Sequence, residues 1–320
     1  MIGVRTPFRI SLIGGTSDLP EYYKEFGGKV ISTSINKYMY HFIHKYSASE
    51  IQIKYSKTEI VKNKKEIKHP IVKAISEIYG IEGLDINSIA DIPKGTGLAS
   101  SSAYTVGLIN GLANYHNQNL SKSDLAKLAC KVELNILNEP IGKQDQYATA
   151  FGGFNKIIFN KNDSVRVKQL SLSNNGFNYL NSCMVLYKTN ISRNASDILN
   201  DQKKGLKQKV NKDYVHEIVS LVKPMEDALK DLNIKKMGEI LTENWEVKKK
   251  LSKSVTNNQI DKMNKDLLSQ GGIYGSKLLG AGGGGYLLLI GEPKKISTLS
   301  GESFQDFRFD NTGSQIVYQD

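Results

Sequence analysis

One stretch of the chain, DIPKGTGLASSSAYTVGLINGL at residues 91–112, sets bare backbone directly ahead of a helical pattern. A strand-like run stops at Pro93. Lys94, Gly95, Thr96, Gly97, Leu98 and Ala99 follow, and Ser100, Ser101 and Ser102 lead into apolar residues at helical spacing (Ala103, Val106, Leu108, Ile109, Leu112). Small residues let backbone N–H groups come close to a ligand. Unsatisfied N–H groups at a helix start carry partial positive charge and favour an anion such as phosphate. Serine hydroxyls add donors, or oxygen ligands for a hard cation such as Mg²⁺. A plain serine-capped helix after a glycine turn has the same pattern. No G-x-x-x-x-G-K-[ST] phosphate loop occurs in the chain.

A second constellation is VELNILNEPIGKQDQ, in which Asp145 follows Glu133 by twelve positions. On one unbroken helix the two carboxylates would diverge. Pro140 and Gly142 end the helix between them, so two separate elements can aim both at one point. Lys143 stands two residues before Asp145, where it is placed to favour the ionised carboxylate. Surface carboxylates paired with lysines would read the same way.

KLLGAGGGGYLLLI contains Gly280, Gly282 and Gly285 as a formal G-x-G-x-x-G. A dinucleotide fingerprint needs strand, loop, then helix. Here a helix is expected before the glycines and a strand after them. Five glycines in residues 280–285 still imply tight backbone approach, to a ligand or to the first glycine loop. Near the N-terminus, Arg9 and Asp18 flank Gly14-Gly15. Asp18 there is either an acceptor for neighbouring sugar hydroxyls or an ordinary turn residue.

The elements that must position these groups alternate along the chain. Residues 4–15 read as a strand ending in a Gly-Gly turn, 29–46 as two strands, 50–63 as a hairpin, and 69–80 as a short helix closed by Gly80. Residues 84–93 read as a strand. A helix capped by Ser121 or Ser123 carries Leu125, Leu128, Ala129, Val132 and Ile136 on one face. A short helix at 144–153 and two strands complete the first half. The polar stretch LSNNGFNYLNS marks a change of domain, giving expected units at 1–175 and 176–320. The second half opens on the strand CMVLYKT. Three helical stretches and a further helix follow, then the strand YLLLI and one or two closing strands. Trp245 lies on an amphipathic helix and reads as core.

Composition narrows the class. Across 320 residues, 39% hydrophobic and 23% charged content is that of an ordinary soluble globular protein, and no apolar run reaches membrane-span length. Two cysteines, Cys130 and Cys183, sit in apolar patterns and read as core thiols of a cytoplasmic protein. The net charge of +11 admits nucleic acid, membranes or phosphorylated small molecules. The lysines are scattered, as on a solvated surface. The five arginines are rarer and suit carboxylate or phosphate recognition.

In order, P-x-R-x-x-L-x-G-G-x-x-D, P-x-G-x-G-L-A-S-S-S-A, G-x-x-D-Q and G-A-G-G-G-G resemble the GHMP small-molecule kinases over nearly the whole chain. LIGGTSD, YKTNISRNAS, NWEVKKKLS and GGIYGSKLLGAGGGG are most similar to the D-glycero-D-manno-heptose 7-phosphate kinases of that superfamily. Those enzymes phosphorylate the anomeric hydroxyl to give the 1,7-bisphosphate, en route to GDP-activated heptose for capsule or other surface glycans. Galactokinases carry Glu-His where this chain has Gly15-Thr16. The expected T-G-x-x-R departs at Asn190, which replaces glycine.

The resemblance implies an α+β, two-domain fold with the active site in the interdomain cleft, and ATP and Mg²⁺ as cofactors. It makes Asp145 the base and Arg9 its charge-neutralising partner. Lys94 and Gly95 to Ser102 would cradle the ATP phosphates, and Ser101 and Glu133 would hold Mg²⁺. Asp18, Thr16, Gly15, Gly282 and Gly283 would contact the sugar. Arg193 and Lys277 are assigned to the substrate's own phosphate. Small-molecule partners are expected, without nucleic acid or membrane, and a homodimer is compatible with this. The alternatives are a kinase for fucose or another aldose, a catalytically silent sugar-phosphate-binding relative, and a basic nucleic-acid-binding protein. The last would call for clustered arginine and exposed aromatics.

Overall fold

The computed structural model describes residues 1–46, 49–191 and 195–320. The first half runs β1 (Ile2–Ile13), α1 (Pro20–Phe26), β2 (Gly28–Lys45), β3 (Ile51–Lys54), β4 (Thr58–Val61), α2 (Pro70–Ser76), β5 (Leu84–Ala90), α3 (Ser100–Tyr115) and α4 (Lys122–Cys130). Next come α5 (Gln144–Phe151), β6 (Phe154–Phe159), β7 (Val165–Gln169), α6 (Asn174–Ser182) and β8 (Met184–Lys188). Five helices follow: α7 (Ala195–Gly205), α8 (Lys209–Ser220), α9 (Val222–Lys230), α10 (Ile234–Lys249) and α11 (Asn258–Leu268). The chain closes with β9 (Ile273–Leu278), β10 (Tyr286–Gly291), α12 (Pro293–Ile296), β11 (Phe304–Gln305), β12 (Phe309–Asp310) and β13 (Gln315–Gln319).

Two sheets organise these elements. The larger runs β13-β1-β2-β5-β3-β4, with β6, β7 and β12 attached through β2, and only the β3/β5 pair is parallel. The smaller is antiparallel in the order β11-β8-β10-β9. The run expected as two strands forms one, Gly28–Lys45. A register shift opposite Pro7 and Phe8 absorbs the break, and β2 pairs with β6 at one end and β5 at the other. The polar stretch at 172–182 contains α6. Beyond 309 the chain crosses back, so β12 and β13 join the first sheet.

Helix α3 lies on β1 and β2 and is buried without interruption from Ser102 to Ala113. That burial fixes its N-terminus, and so the glycine loop before it. Trp245 is fully buried, and Cys130 and Cys183 are buried free thiols, as the apolar patterning predicts. Among the described residues, no helix is long and apolar enough to cross a membrane.

The hairpin β9–β10 corrects the expected helix before the glycine-rich run. Residues 273–278 are a strand, and residues 279–285 form a loop between two strands. Gly275 sits against the Gly238 backbone of α10, at a separation no side chain would permit. The small residues that hide the strand in the sequence are what let α10 press onto the sheet.

Candidate active site

Both halves of the chain wall a cleft of about 1030 Å³. On one wall, Ala99 caps α3 in the left-handed conformation (φ 65°), supplying no side-chain acceptor to the first helical turn. An alanine there is strained, and such strain gathers at ligand sites. The turn therefore directs backbone N–H groups at the cleft, with Lys94, Gly95, Gly97, Ser100, Ser101 and Ser102 on its lining. Thr96 and Leu98, expected with them, are buried and contribute backbone instead. The Thr96 carbonyl accepts from Tyr286 N–H (3.3 Å) and that of Leu98 from Arg9 N–H (3.1 Å).

The glycine-rich loop braces this turn. A Cβ on Gly97 would lie 2.5 Å from the Leu279 carbonyl oxygen, and one on Gly280 would lie 2.5 Å from the Gly97 Cα. Of the sequence's two options, ligand or first glycine loop, the contact made is loop on loop. Gly282 and Gly283, assigned from sequence to the substrate, turn away from the cleft lining. Gly282 packs on Val255, and Gly283 N–H donates to the Val255 carbonyl.

The Ser101 and Ser102 hydroxyls point at a buried carboxylate. Ser101 Oγ donates to Glu133 Oε1 (2.7 Å), while Ser102 Oγ (2.8 Å) and Gln146 Nε2 (2.6 Å) donate to Oε2. Glu133 lies where α4 widens into a π-helical turn, Lys131–Ile136, an irregularity frequent at functional sites. Burial pushes its carboxyl above the usual range against the pull of these three bonds, and nearby Asp145 adds to the rise. It stands behind the serines, not on the cleft lining. Among the described residues no cluster of three or more His, Cys, Asp or Glu could hold a metal. A metal here would draw on hydroxyl, carboxylate and ligand oxygens. That donor set suits Mg²⁺, which keeps few protein ligands.

Asp145, in the first turn of α5, is the pivot of the site. Arg9 Nε donates to Asp145 Oδ1 and Arg9 Nη2 to Oδ2, both at 2.8 Å, while Nη1 donates to the Gly97 carbonyl at 2.8 Å. A planar fork on β1 thus ties the carboxylate to the glycine loop. Lys143, expected beside Asp145, instead pairs with Asp163 (2.7 Å). The chain turns at Pro140–Gly142, and its ammonium leaves the site.

Asp18 lies buried next to this pair. It accepts from Gln144 N–H (3.2 Å) and Gln144 Nε2 (3.0 Å), and Ser11 Oγ donates to Gln144 Oε1 (2.8 Å). Burial, reinforced by Asp145, pushes its carboxyl up to about 6. Gly15 and Thr16 line the cleft beside it, Thr16 at φ 77°, an unfavourable angle for a β-branched residue. Lys277 also lines the cleft, buried, donating to the carbonyls of Ser11 (3.1 Å) and Leu12 (2.9 Å). Burial, then Lys248 and Arg9, hold it well below the usual lysine range. Arg193 lies outside the described residues. Asn190 has φ 56°, the left-handed conformation a glycine would take and asparagine tolerates, so that departure from the motif leaves the turn intact.

Sequence reading did not single out Gln144 and Gln146, which flank Asp145 and hold Asp18 and Glu133. Nor did it single out Gln202, which bridges Thr16 (3.4 Å) and the Ala281 carbonyl (3.0 Å). The alternation Q-D-Q at a helix start was the available signal.

A carboxylate locked beside a helix start stripped of caps, in a cleft between two α/β layers, is the apparatus of a phosphotransferase for small molecules. Residues 53–153 match the family described as GHMP kinases N terminal domain. The chain is 32% identical to D-glycero-alpha-D-manno-heptose 7-phosphate kinase of Campylobacter jejuni, over 98% of this chain and 97% of that one. It is 26% identical to a galactokinase of Pyrococcus furiosus, over 96% and 93%. Its fold overlays a D-glycero-D-manno-heptose 1-phosphate kinase from Bacteriodes thetaiotaomicron with a TM-score of 0.80 at 24% identity, each chain covered in full. The protein belongs to the GHMP kinases, a family of ATP-using sugar and small-molecule kinases, and has their mixed helix-and-sheet fold.

Proposed function

We propose that this kinase transfers the γ-phosphoryl group of ATP to the anomeric hydroxyl of D-glycero-D-manno-heptose 7-phosphate. The product is the 1,7-bisphosphate, made in the cytoplasm for GDP-heptose and surface glycan synthesis. The observation that carries the reading is the Asp145–Arg9–Gly97 chain, which sets a carboxylate against the loop that would cradle the nucleotide. The name and full-length coverage of the Campylobacter jejuni relative support the choice of sugar.

In this reading Asp145 takes the anomeric O–H proton as that oxygen bonds to the γ-phosphorus and the bond to the β,γ-bridging oxygen breaks. Arg9 orients the carboxylate and lowers the charge cost of approach by the phosphoryl group. Lys94 and residues 95–102 hold the nucleotide phosphates, chiefly through backbone. Mg²⁺ would be held by Ser101 Oγ and Glu133 Oε1, and when bound it neutralises phosphate charge. Asp18, with Gly15 and Thr16, receives the sugar hydroxyls. Lys277 faces the 7-phosphate, and Arg193, outside the described residues, is assigned to it from the sequence motif alone. The test is ATP consumption over heptose 7-phosphate, free heptose, fucose, galactose and homoserine, with NMR of the product. The reading requires heptose 7-phosphate to be preferred and the new phosphate to sit on C1. Turnover of an unphosphorylated sugar alone would refute it.

A further inference from the structure

The far wall of the cleft holds two side chains that the proposed reaction has not yet used. Asn244 and Lys248 lie one turn apart on α10 and both line the cleft. Asn244 is 1% exposed, and neither its Nδ2 nor its Oδ1 has a hydrogen-bond partner in the protein. A buried primary amide without partners is costly, so it persists where something else meets it. Lys248 is buried beside it, donates to the Gly280 carbonyl, and lies close enough to Lys277 to disfavour that residue's charged form. Met237 and Leu241 are buried on the same helical stripe. The polar pair therefore continues an apolar face and is not part of a solvated one.

Carboxylates line one wall of the cleft and not the other. The lining contributed by α7, α8, α10 and β9 includes Gln202, Asn244, Lys248 and Lys277 and no carboxylate among the described residues. The opposite wall mixes the carboxylates Asp18, Asp91, Glu139 and Asp145 with the cations Arg9 and Lys94. A buried amide without partners, beside Lys248 and Lys277 on a wall that carries no carboxylate among the described residues, suits a bound anion at the α10 end.

We propose that Asn244 and Lys248, acting with Lys277, form the subsite for a phosphate monoester at the end of the acceptor remote from the reacting hydroxyl. This rests on the sugar-phosphate reading above and places the recognition of that phosphate on α10. The amide donates to one phosphate oxygen while the two ammonium groups neutralise the dianion. Selection for a phosphorylated sugar then comes from the Asn244 amide, which an unphosphorylated analogue leaves unmet.

The experiment measures kcat and KM for heptose 7-phosphate and for free heptose in the wild type, Asn244→Asp and Lys248→Met. ATP affinity and thermal melting serve as controls for folding. Asn244→Asp is isosteric and sets a like charge against the phosphate. Each variant is expected to reduce the preference for the phosphorylated sugar by about tenfold or more, through KM. Their kcat should stay within about threefold, with ATP affinity unchanged. Equal losses on both sugars, or weakened ATP binding, would overturn the proposal. Should the wild type use only unphosphorylated sugars, the substrate reading fails separately, and inorganic phosphate then decides the subsite. Competitive inhibition against the sugar that Lys248→Met abolishes would uphold it, and absence of inhibition in the wild type would sink it.

Discussion

The guanidinium of Arg9 grips both oxygens of Asp145 and, with its remaining nitrogen, the carbonyl of Gly97. One side chain on β1 therefore sets the distance between the proton acceptor and the phosphate-cradling turn. It is 4% exposed and the Asp145 carboxylate 23%, so the pair keeps much of its strength in solvent.

Arg9→Lys keeps the charge and loses the fork. One ammonium cannot hold both carboxylate oxygens and the Gly97 carbonyl in the same plane. The expected result is a fall in kcat of about 10²-fold, with ATP affinity reduced less. Arg9→Met leaves a half-buried carboxylate without its partner and should lower stability by about 3 kcal/mol in urea denaturation. A lysine variant with wild-type kcat would show that the bidentate geometry is dispensable.

Asp18 gives the site a pH dependence. Burial raises its carboxyl from 3.8 in the unfolded chain to about 6 in the fold. The folded state thus binds this proton more tightly. The stability it contributes is full below 3.8 and is lost as pH rises through about 6. Sugar hydroxyls that donate to the ionised form offset that loss, so kcat/KM for the sugar should fall as pH drops below about 6. In Asp18→Asn the bend should vanish at a uniformly lower kcat/KM. Gln144 presents donors to both oxygens, so the amide nitrogen meets a donor whichever way it turns.

Much of this was legible in the sequence because local chemistry fixed it. Pro93 ends a strand, Pro140 breaks a helix, and glycine before three serines makes an uncapped helix start. The four separated motifs identified the fold. Pairings between distant segments were hidden. Residues 273–278 read as helix and not strand because Gly275 packs on the α10 backbone and Ser276 N–H donates to Thr242 Oγ1 of that helix, so their smallness answers to α10 and not to their own strand. Lys143 is next but one to Asp145 in sequence, yet the turn carries it to Asp163. Asn244 and Lys248 resemble the polar residues of any amphipathic helix until the stripe through Met237 and Leu241 is seen to be buried.

Loop-on-loop packing predicts opposite outcomes at two glycines. Gly97→Ala would bring a Cβ to 2.5 Å from the Leu279 carbonyl oxygen, at φ +81°. It should lower stability by about 1–3 kcal/mol and raise KM for ATP, since the cradle moves with the clash. Gly271→Ala meets nothing within 4 Å and should change neither. Thermal melts and ATP titrations of the two variants make the comparison.

Lys277 is held well below the usual lysine range by burial and by Lys248 and Arg9. A bound phosphate dianion reverses those effects and raises its proton affinity. Calorimetric titrations at several pH values between 7 and 10, in buffers of different ionisation enthalpy, should therefore reveal more proton uptake with heptose 7-phosphate than with free heptose. Identical heats for both sugars after buffer correction would remove Lys277 from the phosphate's surroundings.

The most direct test of the central claim is the single-turnover rate of Asp145→Asn with ATP and sugar both saturating. The amide keeps the shape of the carboxylate and cannot take the proton. The account predicts a loss of about two to four decades in rate, with ATP and sugar affinities near those of the wild type. A rate within a few-fold of wild type would contradict it.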